Sequence, residues 1–180
     1  GNLVSNPSLE IEGALPNAPL NWYQGWYGVM NPTFTYPVTG LAGARAARVQ
    51  VTDYTSGSAR WYFTPAFVTP GAQYTFSDLY TANVPSEVVV QYGLGDGTFT
   101  YQFLTTAPAT SSSTRLTRTF TAPAGVETAT VFHGLISNGI LTIDDFALSL
   151  AGSDITPPTG SITSPVGSTT VSGVVPVSVS

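Results

Sequence analysis

The chain has 180 residues, enough for one substantial domain, and 42% of them are apolar, enough for a core. Only 8% are charged, against roughly 25% in an average soluble domain; lysine is absent and the net charge is -5. This excludes the clustered basic surface that DNA or RNA binding needs; cysteine is absent, and no apolar run approaches the ~20 residues that span a bilayer.

Taken in order, the chain offers strands and no helix. Gly or Pro interrupts most windows, and apolar positions do not recur at three-and-four spacing. The predicted strands are Asn2–Val4, Ser8–Ile11, Trp22–Val29, Ala46–Val51, Ala59–Thr64, Gln73–Tyr80, Glu87–Leu94, Thr98–Leu104, Arg115–Thr121, Thr128–Leu135 and Leu141–Leu150. Short strands separated by turn signals imply an all-β fold, an antiparallel two-sheet sandwich.

One hairpin reads in detail. Gly95-Asp96-Gly97 is a loop able to supply a positive φ between Val88–Leu94 and Thr98–Leu104. Folding there sets Gln91 beside Tyr101, Val89 beside Phe103 and Gly93 beside Phe99. The aliphatic face with Val88, Val90 and Tyr92 is assigned to the core, and the face with Gln91 and Tyr101 to the outside.

Leu141–Leu150 alternates with period two, which places Asp144 on the same face as Phe146 and Leu148 and Asp145 on the other. A buried carboxylate is costly unless paired, hydrogen-bonded or bound to a metal. If the first and last strands lie together, Glu10 can meet Asp144, and two carboxylates with backbone carbonyls suit Ca²⁺. The bland alternative is that Asp144 caps a turn or accepts from backbone amides. After Leu150 the composition shifts. Residues 1–151 read as the sandwich, 152–159 as a Pro-stiffened linker, and 160–180 as the opening strands of a further module.

Catalysis finds little support. His133 stands alone and reads as a satisfied core or rim histidine, and no Gly-x-Ser-x-Gly elbow occurs. Adjacent Asp144 and Asp145 cannot act as a pair on one face; Asp78 and Glu87 are the other carboxylates to consider. The aromatics are more informative, because sugar rings stack their C–H faces on indole and phenol. Trp22 reads as structural. Trp61 is the expected ligand platform, with Tyr101, Gln91, Asp78, Arg60 and Trp26 completing a mixed aromatic and polar surface. With so few cations, a strongly anionic glycan is not expected there.

Five stretches occur in an order that resembles a known group. They are Asn2-Leu-Val-Ser-Asn-Pro-Ser-Leu-Glu10, Pro19-Leu-Asn-Trp22, Gly43–Val51, Thr69–Ser77 and Thr142-Ile-Asp-Asp-Phe-Ala-Leu148. Together they resemble the jelly-roll carbohydrate-binding modules of families 4, 9, 16 and 22, over residues 1–150. The tail from Thr156 resembles the start of a bacterial immunoglobulin-like repeat. The resemblance implies a jelly-roll β-sandwich with a structural calcium, held by Glu10, Asp144 and backbone near Arg45. It also implies a groove on one sheet, lined from the strands of Trp61 and Tyr101. The function it implies is non-catalytic polysaccharide binding by a secreted or cell-surface protein, targeting an attached enzyme to its substrate. The alternatives are a structural or adhesive stalk module without a sugar ligand and, last, a small polysaccharide-active enzyme.

Overall fold

The computed structural model describes residues 1–15 and 17–152, with the backbone of Ile162–Ser164 and Ser178–Val179. Nine strands lie within the main body: β1 Trp22–Thr39, β2 Arg45–Phe63, β3 Ala66–Phe67, β4 Gln73–Ala82, β5 Ser86–Leu94, β6 Phe99–Ala107, β7 Thr110–Thr121, β8 Val126–Leu135 and β9 Gly139–Leu150. Two short strands, β10 Ile162–Ser164 and β11 Ser178–Val179, pair antiparallel with each other. The expected linker after Gly152, and the module start beyond it apart from this pair, lie outside the described residues.

Every pairing is antiparallel, and the strands form two layers. The front layer runs β6-β5-β8 and then the C-terminal half of β2, where Ala59–Trp61 pair with Leu135–His133. The back layer runs β7-β4-β9 and then the N-terminal half of β2, where Ala47–Val51 pair with Ile143–Gly139. β1 follows β2 along its length, so one long ribbon belongs to both layers. The stretches Ala46–Val51 and Ala59–Thr64, expected as separate strands, are therefore parts of one. Gly28 and Gly57 face each other in this ribbon with φ of +93° and +98°. A Cβ on Gly57 would stand 1.8 Å from the Tyr27 carbonyl oxygen, so only glycine allows the two backbones to approach so closely.

The core fills the space between the layers. Phe146 sits at its centre, edge-on to Trp22 at 4.9 Å and to Phe76 at 5.4 Å between ring centroids. Trp22 is structural, as expected: it is buried, and its indole N–H donates to the carbonyls of Ser5 and Asn6. The N-terminal residues do not form the two strands expected of them. They run irregularly along β9, with Leu3 N–H on the Leu148 carbonyl at 2.7 Å and Phe146 N–H on the Pro7 carbonyl at 2.9 Å.

Alternation breaks inside β9. Leu79 pairs with Asp144 and Ser77 with Ala147, so Asp145 and Phe146 together oppose Asp78. The extra residue is a β-bulge, and Asp145 takes φ of +47° to make it. Leu141 and Ile143 face the core before the bulge; Phe146 and Leu148 face it afterwards. Asp144 thus shares the outer side of the back layer with Thr142 and not the side of Phe146.

Candidate functional site

The hairpin of β5 and β6 sets the edge of the front face. Its register is Gln91 to Tyr101, Val89 to Phe103 and Gly93 to Phe99, as the turn chemistry predicts. β8 carries the same face across the layer, with Phe132 opposite Val89 and Gly134 opposite Glu87. β2 adds Arg60 opposite Gly134, and β1 adds Gly25 opposite Arg60 and Tyr27 opposite Ser58. These strands enclose a cleft of about 370 Å³, lined by Tyr27, Ser58, Arg60, Glu87, Val89, Tyr101, Phe132 and Gly134.

Each part of the cleft has a physical origin. Gly134 leaves its floor open, because a Cβ there would crowd Arg60 Cβ at 3.0 Å and Ser58 Oγ at 3.1 Å. Gly25 gives passage to the arginine stem, since a Cβ there would meet the Tyr62 ring at 2.9 Å and Arg60 Nε at 3.3 Å. The Arg60 guanidinium lies 4.2 Å from the centre of the Phe132 ring and 5.6 Å from that of Tyr27. Burial lowers its pKa, while the nearby phenols of Tyr27, Tyr101 and Tyr62 oppose that shift. Tyr27 and Tyr101 are 62% and 58% exposed, so their ring faces are free for a ligand. Gln91 donates to the Tyr101 hydroxyl at 3.0 Å and fixes its position.

A second polar cluster wraps the turn before β2. Asp144 is fully buried; its Oδ2 accepts from the N–H groups of Leu41 and Ala42, at 2.9 and 2.8 Å, and its Oδ1 from Asp145 N–H. Glu10 Oε1 accepts from the N–H groups of Ala44 and Arg45, at 2.8 and 3.0 Å. Two carboxylates therefore grip one five-residue turn from its two ends. No cationic side chain pairs with either of them among the described residues; the Arg45 side chain pairs with Glu12, and Asp145 with Arg115. Burial raises the Asp144 pKa, and the three backbone N–H groups pull against it.

A third cluster lies between the layers. His133 Nδ1 is 2.5 Å from Asp78 Oδ2, and His133 Nε2 is 2.8 Å from Ser86 Oγ. The arrangement has the hydrogen-bond order of a Ser-His-Asp nucleophile relay. All three side chains have no solvent exposure, and none lines the cleft. The Tyr80 ring covers the imidazole, with centroids 4.8 Å apart. A nucleophile closed off in this way cannot meet a substrate, so the cluster serves as a polar tie between β4 and β8.

No family model matches the chain, and no curated protein matches it. Among solved structures it is similar to the enzymatically active domain of tailspike protein 4 of bacteriophage CBA120. The TM-score is 0.61 at 16% identity, over 83% of this chain and only 21% of that one. It is also similar to the C-terminal family 22 carbohydrate-binding module of Clostridium thermocellum Xyn10B, with TM-score 0.55 at 17% identity, over 83% and 93%. A cyclase from Fischerella sp. TAU gives 0.59 at 14%, over 81% and 94%. The chain has the jelly-roll fold of the family 4 and family 22 carbohydrate-binding modules.

On this jelly roll the expected site residues divide. Arg60, Tyr101 and Gln91 do share the front face. Trp61 does not: it is fully buried, edge-on to Phe34, with its indole N–H donating to the Arg48 carbonyl at 2.9 Å. Asp78 does not either, because it faces the core from β4 and bonds His133 instead of Arg60. Trp26 is 53% exposed but lies opposite Ala59, on the reverse side of the ribbon from Arg60. Asp78 and Glu87 also lie on different faces, one in the core and one in the cleft. Sequence reasoning did not place Tyr27, Ser58, Phe132 and Gly134 in the site, and it weighed Glu87 only as one of a catalytic carboxylate pair. The Val89–Phe103 face was already assigned to the outside, and extending it one strand across would have reached Phe132 and Gly134.

Proposed function

We propose that this jelly roll binds polysaccharide without catalysis, through the front cleft, and brings an attached enzyme domain to its substrate at or outside the cell surface. The observation that carries the reading is the cleft itself: exposed phenol rings of Tyr27 and Tyr101 beside a floor cleared by Gly134. Around that floor stand Arg60, Glu87 and Ser58, which offer donors and acceptors to sugar hydroxyls. The likeness to carbohydrate-binding modules supports the reading, as does the enclosure of the one histidine. The test is affinity electrophoresis through gels cast with a panel of soluble polysaccharides. The wild type is retarded by at least one, and Tyr101→Ala weakens that binding by about tenfold or more. Free migration through every gel would defeat the proposal, and release of reducing sugar by the purified chain would favour an enzyme instead.

The reading includes a structural calcium held by Asp144, Glu10 and main-chain carbonyls of the turn near Arg45. What supports it is that Asp144 is buried, burial raises its pKa, and no side-chain cation pairs with it among the described residues; backbone N–H groups of the turn already answer one oxygen of each carboxylate. Bound calcium would supply the missing positive charge and fasten the N-terminal segment to β9. Chelator is expected to lower the melting midpoint by about 5–10 °C and added CaCl₂ to restore it. A midpoint indifferent to both would remove the ion from this account.

A further inference from the structure

We propose that the front cleft selects a glycan with isolated acidic sugars, and that Arg60 binds the uronate carboxylate. The inference rests on the polysaccharide-binding reading and narrows its ligand. A guanidinium has five N–H donors in a planar fork, yet among the described residues Arg60 finds one acceptor, the Ser58 carbonyl at 3.5 Å. Its Nε is buried without a hydrogen-bond partner. The described ion pairs are Arg45 with Glu12, Arg115 with Asp145 and His133 with Asp78, so Arg60 enters the cleft without a counter-charge. Setting a cation between Phe132 and Tyr27 strips water from it, and a protein that leaves it unpaired bears that cost in the free state. A ligand carboxylate removes the cost and fits the fork in two parallel bonds, where a hydroxyl supplies only a single neutral acceptor.

The cleft also limits how much charge the ligand carries. Glu87 lies on the far side of Gly134 from Arg60, two strand spacings away, which is roughly 9–10 Å. That spacing is between backbones; the two side chains form no ion pair among the described residues, and a carboxylate at Glu87 repels a second acid. With a chain net charge of -5, a densely anionic polymer is disfavoured as well. The ligand that suits both sides is a mainly neutral polysaccharide with one uronate at Arg60, its neighbouring sugars against Tyr101 and Tyr27 and a hydroxyl donating to Glu87.

The test uses affinity gels cast with glucuronoxylan, xanthan and highly esterified pectin, each also after carbodiimide and borohydride reduction of its carboxyl groups. Wild type should bind at least one native polymer about tenfold or more tightly than its reduced form. Arg60→Gln should bind both forms alike, at the weaker level. Because the reduced polymer alters the ligand, this comparison stands even where the variant folds poorly. Equal retention of wild type by native and reduced polymers overturns the inference and leaves polysaccharide binding intact. Retention only by neutral polysaccharides does the same, and retention by none overturns both.

Discussion

Truncating Trp61 opens a hole where β1, β2 and β8 meet. The side chain is fully enclosed, and its N–H satisfies the Arg48 carbonyl. Trp61→Ala is expected to cost about 3–5 kcal/mol in urea unfolding. Trp26→Ala, at a half-exposed position of the edge strand, should stay within about 1 kcal/mol of wild type. Equal losses at the two tryptophans would contradict the burial assigned here. The strand already contained the signal that separates the faces. Ala59 and Phe63 on either side of Trp61 are wholly apolar, and Ala59 is small enough for close packing, whereas Arg60 and Tyr62 carry polar tips. A slip of one residue exchanges such sets completely, so a tryptophan that looks like a sugar platform and one that fills the core differ only in parity.

At the scale of elements, legibility depended on whether local chemistry fixed the pairing. The Gly95-Asp96-Gly97 turn determines which residues of β5 and β6 face each other, and Asp96 holds it by accepting from Thr98 at 2.9 Å. The β9 bulge has no such local mark. It exists because Asp145 adopts a positive φ, which places both the Asp144 carboxylate and the Arg115-bound Asp145 on the outer side of the back layer. Strict alternation predicts the opposite for Asp144. The bend of β1 and β2 is intermediate: Gly28 and Gly57 are visible as glycines, but their pairing across the ribbon is a tertiary fact. For the same reason the cleft was half legible. Residues on one hairpin could be aligned with each other, and those on β1, β2 and β8 had no register until the layer assembled.

At the scale of the whole molecule, the question is what keeps the two layers in one relation. Apolar packing does most of it, but packing is tolerant of small slides. The Asp78–His133–Ser86 chain is directional, running from β4 in the back layer to β8 and β5 in the front. Asp78 Oδ1 is buried without a partner among the described residues, so this tie already carries some cost. Cutting it on one side leaves the other member buried and unpaired. Asp78→Leu and His133→Phe are each expected to lose about 3–5 kcal/mol, whereas the double variant, with both polar groups gone, should lose much less than their sum. A denaturant double-mutant cycle measures the difference, and simple additivity would show that the bond does not couple the layers. A coupling above about 1 kcal/mol would have a consequence for the cleft. Gly134 and Glu87 directly follow His133 and Ser86 on their strands and point the other way, so the tie that fixes the core also fixes the cleft floor. The double variant should then remain folded while its glycan affinity falls, separating the stability of the sandwich from the geometry of its binding face.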